Sequence, residues 1–227
     1  MTHPSTSLSL GAAALVVASL VAPAIARADY YDYGGSSGKD SWEKTRFEGA
    51  VGGLVGGQSV GWVHGTAGGL HLDAGLRLDR LYLYGEYDFL SVGQDSYDVD
   101  DPVRGFMHRG GVSARYSVAT VGGKHDIPVR GDFWIEAGLG DQVINWHEGG
   151  RLHRPDVSMG LGGQASFRLG RDKPKFLGFY YALKVTVADA PPRKDNQPTC
   201  AGPCDYPTPP SPYDVGIFFN FGVPFGR

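Results

Sequence analysis

Beyond Ala28 the chain has no long apolar run. A membrane-spanning helix needs about 20 consecutive apolar residues, so residues 29–227 cannot supply one. A basic excess is also missing. The net charge is −3, and losing residues 1–28 would remove Arg27 and no acid, leaving about −4. Nucleic-acid binders carry a clear positive balance, so no nucleic-acid partner is expected. Thiols are scarce. Cys200 and Cys204 are the only two, and no histidine lies near them in sequence, which argues against a thiolate metal site. His71, His108, His147 and His153 lack close ligand spacing, so no metal and no cofactor is expected. The glycines between 49 and 57 are not followed by Lys-Ser/Thr, which excludes a phosphate-binding loop. No solenoid-type repeat is visible.

The front of the chain carries an apolar stretch, Leu10 to Leu20 and on through Val21, Ala22 and Ile25, interrupted by Pro23. Ala26-Arg27-Ala28 follows as an A-x-A-type cleavage site. Residues 1–28 are therefore read as a secretory signal peptide, although its basic n-region is poor. An N-terminal membrane anchor is the alternative. Export would favour a local disulfide between Cys200 and Cys204. Residues 29–45, with Tyr30, Tyr31, Tyr33 and several Gly and Ser, read as a flexible tail.

Glycine is abundant, at 35 residues, about twice the usual share of roughly 7%. Aromatics are frequent, and eight segments alternate with period two between turn-type residues. The predicted strands are 46–56, 68–78, 81–90, 105–119, 132–144, 156–169, 175–188 and 213–223. Each can cross a bilayer when tilted, which takes about 9–11 residues. Eight is a common even count for single-chain membrane barrels. The expected long loops are 57–67, 91–104, 145–155 and 189–212. The expected shorter turns lie at Asp79, 121–131 and 170–174.

Alternation alone does not say which face points inward. A soluble barrel buries its apolar face, and a membrane barrel exposes it. The polar face carries Glu48, His71, Asp73, Arg77, Glu86, Asp88, Arg109, Arg115, Glu136, Arg168, Lys184 and Asp214: six acids, five bases and one histidine. Between them sit Gly52, Gly75, Gly111, Gly138, Gly160, Gly162, Gly178 and Gly216. On a solvated face those glycines would weaken strands for no gain. In an eight-stranded lumen, just wide enough for side chains, they make room for long paired charges. The apolar face carries Phe47, Tyr116, Phe133, Phe167, Phe219 and Phe221 toward the terminal end and Phe89 and Phe106 toward the other. That is a two-belt pattern, with His108 and Asp141 as its polar intruders.

The last strand runs Asp214, Val215, Gly216, Ile217, Phe218, Phe219, Asn220, Phe221. Its polar-x-Gly-x-x-aromatic-x-aromatic pattern, on Asp214, Gly216, Phe219 and Phe221, resembles the closing strand of bacterial outer-membrane β-barrels. It departs from them in continuing through Gly222 to Arg227. With the strand pattern of 46–223, the resemblance is to small eight-stranded outer-membrane proteins of Gram-negative bacteria. It implies an all-β, antiparallel up-and-down transmembrane barrel over 46–227. It also implies outer-membrane lipid and lipopolysaccharide as surroundings, and recognition of the closing strand by the barrel-assembly machinery. It names an architecture, not an activity.

For chemistry, His147, Glu148, His153 and Asp156 around Trp146 are the rim residues from which a carboxylate-oriented base could be made. Arg151 to Pro155 lacks the His-x-Ser of barrel lipid A deacylases, and no catalytic residue is assigned. The proline-rich loop 189–212, restrained by Cys200–Cys204, suits a surface partner or simple shielding. The expected role is structural or surface interaction with a plugged lumen. The alternatives are a lipid-modifying hydrolase at rim 146–156 and a soluble barrel binding an apolar ligand.

Overall fold

The computed structural model describes residues 47–61, 63–93, 104–122, 129–147, 149–169, 175–190 and 212–227. The chain divides into Met1–Lys39 and Asp40–Arg227, and the described residues all belong to the second unit. The expected signal peptide, the expected tail 29–45 and the Cys200–Cys204 pair lie outside the described residues.

Eight strands run in sequence order: β1 Phe47–Val60, β2 Val63–Leu78, β3 Leu81–Gly93, β4 Arg104–Gly122, β5 Val129–Trp146, β6 Arg151–Arg168, β7 Phe176–Asp189 and β8 Tyr213–Gly226. Each pairs antiparallel with its neighbours, and β1 pairs with β8 to close the barrel. Closure leaves no unpaired edge. Both chain ends of the barrel lie at one mouth, where Phe47 and Arg227 exchange backbone hydrogen bonds of 3.1 and 2.9 Å. We call this the terminal mouth and the opposite one the loop mouth.

The strands are longer than the sequence pattern predicts, mostly at the loop mouth. Residues 57–67, expected as a long loop, are instead the paired ends of β1 and β2. They meet at Val60↔Val63 around Gly61, whose φ of 62° suits glycine. Likewise 145–155 is not a long loop. β5 and β6 pair out to Asn145↔Arg151, and the turn uses Gly149 and Gly150 at φ near 98°. In both places polar or glycine residues interrupt the hydrophobic alternation while its parity continues. At the terminal mouth β2 and β3 join through Asp79 and Arg80, with Asp79 at φ 56°, a conformation Asp tolerates.

β8 continues to Gly226, so Val223 and Phe225 extend the outward face beyond Phe221. The β7–β8 ladder has no pairs at 178–179 and 223–224, where Pro224 has no amide hydrogen to donate. A bulge between Ser117 and Ala119 shifts the β4–β5 register. There Arg115, Tyr116 and Ser117 are buried in succession. Tyr116 is 9% exposed where Phe47 is 46%, so it is a covered member of the expected belt.

The outward face is a continuous apolar wall, including Val51, Val55, Leu70, Leu72, Leu161, Leu183, Ile217 and Phe219. Aromatic rings lie over some of its glycines. A Cβ on Gly49 would stand 3.0 Å from the Phe225 ring, and one on Gly53 3.0 Å from the Phe221 ring. The wall changes character at the loop mouth. There Val60, Val63, Val92, Met107, Ile144, Trp146 and Leu152 are buried inside as one apolar cluster. Their strand neighbours Ser59, His64, Ser91, Arg104, Asn145 and Arg151 face outward. Polarity therefore inverts along the barrel axis. The body is apolar outside, as against hydrocarbon, and the loop end is apolar inside, as against water.

Candidate functional site

Inward positions of seven strands place their polar side chains in one connected lumen network. Arg109 on β4 is its hub. Its Nε donates to both Asp156 oxygens at 3.0 and 2.9 Å, its Nη2 to Asp156 at 2.8 Å and to Ser158 at 3.2 Å, and its Nη1 to Glu86 at 2.5 Å. Glu86 also accepts from Lys184 Nζ at 2.5 Å and from Ser113 at 3.0 Å. His71 lies between Asp88, at 2.5 Å, and Asp73, at 3.3 Å. Toward the terminal mouth the Tyr82 hydroxyl lies 2.9 Å from both an Asp73 oxygen and the Glu48 carbonyl, its one proton shared between them, and Arg77 donates to Glu48 at 2.5 Å. Arg115 donates to Glu136 at 3.2 Å and stands over the Trp134 ring at 4.4 Å and the Tyr84 ring at 4.9 Å.

These groups are buried, and a buried charge is tolerable only when paired with good geometry. Bidentate Arg109–Asp156 has that geometry. Glycines make the space. A Cβ on Gly140 would lie 2.6 Å from the Arg109 Nη2, and one on Gly160 2.8 Å from Glu136 Oε1. A second polar group sits nearer the loop mouth. There Arg154 pairs with Asp214 and donates to Gln142 at 3.1 Å, and Asp214 also accepts the Gly61 amide at 2.8 Å. A small recess, with room for little more than a water molecule, opens near the terminal mouth between Glu48, Arg77, Asp132, Gln164 and Phe176.

Of the twelve lumen residues read from sequence, eleven are buried. Arg168 is half-buried at the terminal end of β6 and is not among the ion pairs found between described residues. Sequence reasoning missed Gln58, Asp132, Gln142, Arg154 and Ser158. It also placed Asp156 at the rim. The structure corrects that placement, because Asp156 points inward and is held by Arg109. The signal was available, since Arg154 and Asp156 keep the inward parity of Ser158 and Gly160. The predicted loop 145–155 held Arg154 and ended just before Asp156.

The proposed rim constellation is therefore not brought together. Glu148 lies outside the described residues. His147 is exposed in the β5–β6 turn, its ring 5.1 Å from Phe106. His153 faces outward and donates from Nε2 to Asp141 at 2.5 Å. His108, also on the outward face, is 2.7 Å from the Tyr87 hydroxyl. Within the closing motif, Asp214 and Gly216 face inward and Phe219 and Phe221 outward. A Cβ on Gly216 would meet Phe218 at 2.7 Å, so this glycine lets Phe218 fold into the barrel.

No family model matches the chain, and no curated protein matches it. Solved structures similar to it include Neisserial surface protein A, at 13% identity, covering 80% of this chain and 97% of that one, with a TM-score of 0.47. Ail, the attachment invasion locus protein of Yersinia pestis, solved with the heparin analogue sucrose octasulfate, matches at 12% identity over 81% of this chain and 99% of its own, with a TM-score of 0.39. A major outer membrane protein from Thermus thermophilus matches at 12% over 80% and 99%, with a TM-score of 0.39. By its own closure, strand order and surface polarity, this chain is an eight-stranded antiparallel transmembrane β-barrel.

Proposed function

We propose that this is an exported outer-membrane barrel with a plugged lumen that serves as a structural or interaction protein of the cell surface. One observation carries the reading: the wall is apolar outside and ion-paired inside, and an apolar cluster crosses the inside of the loop mouth. Only helices and closed barrels satisfy their backbone within a bilayer, and this chain has the closed barrel. A soluble barrel for an apolar ligand would need the opposite facing, so that reading loses its support.

Residues 1–28 serve export, and the terminal mouth faces the periplasm. Loop 189–212, with a Cys200–Cys204 bridge, then stands at the cell surface, where its prolines restrict it and suit it to a partner or to shielding. Asp214, Gly216, Phe219 and Phe221 present the closing strand to the assembly machinery. The lipid wall and the arginines at its loop-side edge meet outer-membrane lipid and lipopolysaccharide. The test is conductance of the purified barrel in planar bilayers. The plugged lumen predicts no steady current at physiological voltage. A stable open level in every insertion would contradict it.

A further inference from the structure

Among the described residues, the outward wall has one polar breach inside its apolar belt. It centres on Gly110, where an added Cβ would meet nothing within 4 Å. Gly110 pairs with Tyr87 on one side and Asp141 on the other, and one step toward the loop mouth His108 pairs with Phe89 and Val143. Two hydrogen-bonded couples flank this open floor: Tyr87–His108 at 2.7 Å and Asp141–His153 at 2.5 Å. The Asp141 and His153 side chains are 53% and 65% exposed, so neither is shielded by protein. Val112, Leu139 and Val157 continue the apolar wall below, and Phe106 and Val143 stand above. Toward the same mouth β7 and β8 present Val185, Val187, Val215 and Ile217 outward, with Asp189 and Tyr213 beyond them at the rim.

A carboxylate facing lipid is expensive unless it has a partner. With Nε2 of His153 donating, one oxygen of Asp141 and Nδ1 of His153 are left as acceptors. With the Tyr87 hydroxyl donating to His108 Nδ1, the Nε2–H of that ring is left as a donor. The notch thus offers acceptors beside one donor, just below the polar edge of the wall. That is the depth at which acyl chains join a lipid's polar part. We propose that the Gly110 notch binds a membrane lipid whose acyl linkage carries amide N–H and hydroxyl donors, the amide carbonyl accepting from His108 and the donors meeting Asp141. The proposal rests on the membrane reading of this wall.

Native mass spectrometry of the barrel, purified from membranes in detergent, would test it. The probes are sphingomyelin, with an amide and a hydroxyl at its acyl linkage, and phosphatidylcholine of matched chain length, with the same headgroup and ester linkages only. Two missing hydrogen bonds predict about a tenfold preference for sphingomyelin. Gly110→Ile, which fills the floor, and Asp141→Ala, which removes the acceptor, should each bring the ratio near one. Val185→Ala on β7, three strands from Gly110, should leave it unchanged. A wild-type ratio near one, or a preference that survives both variants, overturns the proposal. Failure of the membrane reading looks different: the protein would be folded and monomeric without detergent and would retain neither lipid.

Discussion

Replacing Arg109 by methionine keeps most of the side-chain length and removes the charge at the hub of the lumen. Asp156 would lose contacts at 2.8, 2.9 and 3.0 Å and, among the described residues, has no second cation. Glu86 would lose one contact at 2.5 Å but keep Lys184 and Ser113. The damage therefore concentrates on Asp156, left charged in a closed interior. Removing one member of a buried pair typically costs about 3–5 kcal/mol, roughly a hundredfold to several-thousandfold in the unfolding equilibrium. The assay is reversible urea unfolding of the barrel in lipid vesicles, followed by tryptophan fluorescence. The cycle with Asp156→Asn adds a check. Once the acid is neutral the arginine matters less, so the double variant should be more stable than the sum of the singles predicts, by about 0.5–3 kcal/mol. A loss below about 1 kcal/mol, the value of an exposed ion pair, would refute the reasoning, because it would mean that water solvates Asp156 in an open lumen.

Three other perturbations probe separate parts of the barrel. Leu183→Arg places a charge on the outward wall and should cost about 2–4 kcal/mol in vesicles if that position lies near the bilayer midplane; on a solvated surface the same change stays within about 0.5 kcal/mol, and urea titration distinguishes the two. Gly140→Val drives a side chain into the Arg109 guanidinium, 2.6 Å from where its Cβ would stand, and should cost about 1–3 kcal/mol by overpacking in the same titration. Truncation after Phe221 removes Val223, Phe225 and the Phe47–Arg227 backbone bonds, so the folded fraction in membranes, read on unboiled gels, should fall well below wild type; an unchanged fraction would place the end of the closing strand at Phe221.

The strand count, their order and the side that carries charge were legible because a half-buried strand repeats every two residues. Leu177, Phe179, Tyr181, Leu183, Val185 and Val187 show it plainly, and every one of them faces outward. The loop mouth was harder to read. Beyond the apolar belt, Val60 and Val63 obey the same parity but with the opposite polarity, so hydrophobicity alone suggested a loop where hairpins continue. Arg154 has the ordinary inward polarity but fell within the predicted loop 145–155. The outward couples of Asp141 with His153 and Tyr87 with His108 depend on strand pairing across β3 to β6, and no spacing within a single segment encodes them.

The central claim is a barrel turned apolar side out in an outer membrane. Its most direct test is fractionation of cells expressing the full chain, followed by electrophoresis of the membrane fraction with and without boiling. A lipid-facing barrel predicts recovery in the outer membrane and a band that migrates differently once boiling unfolds it. A soluble protein whose mobility ignores heating would contradict the claim.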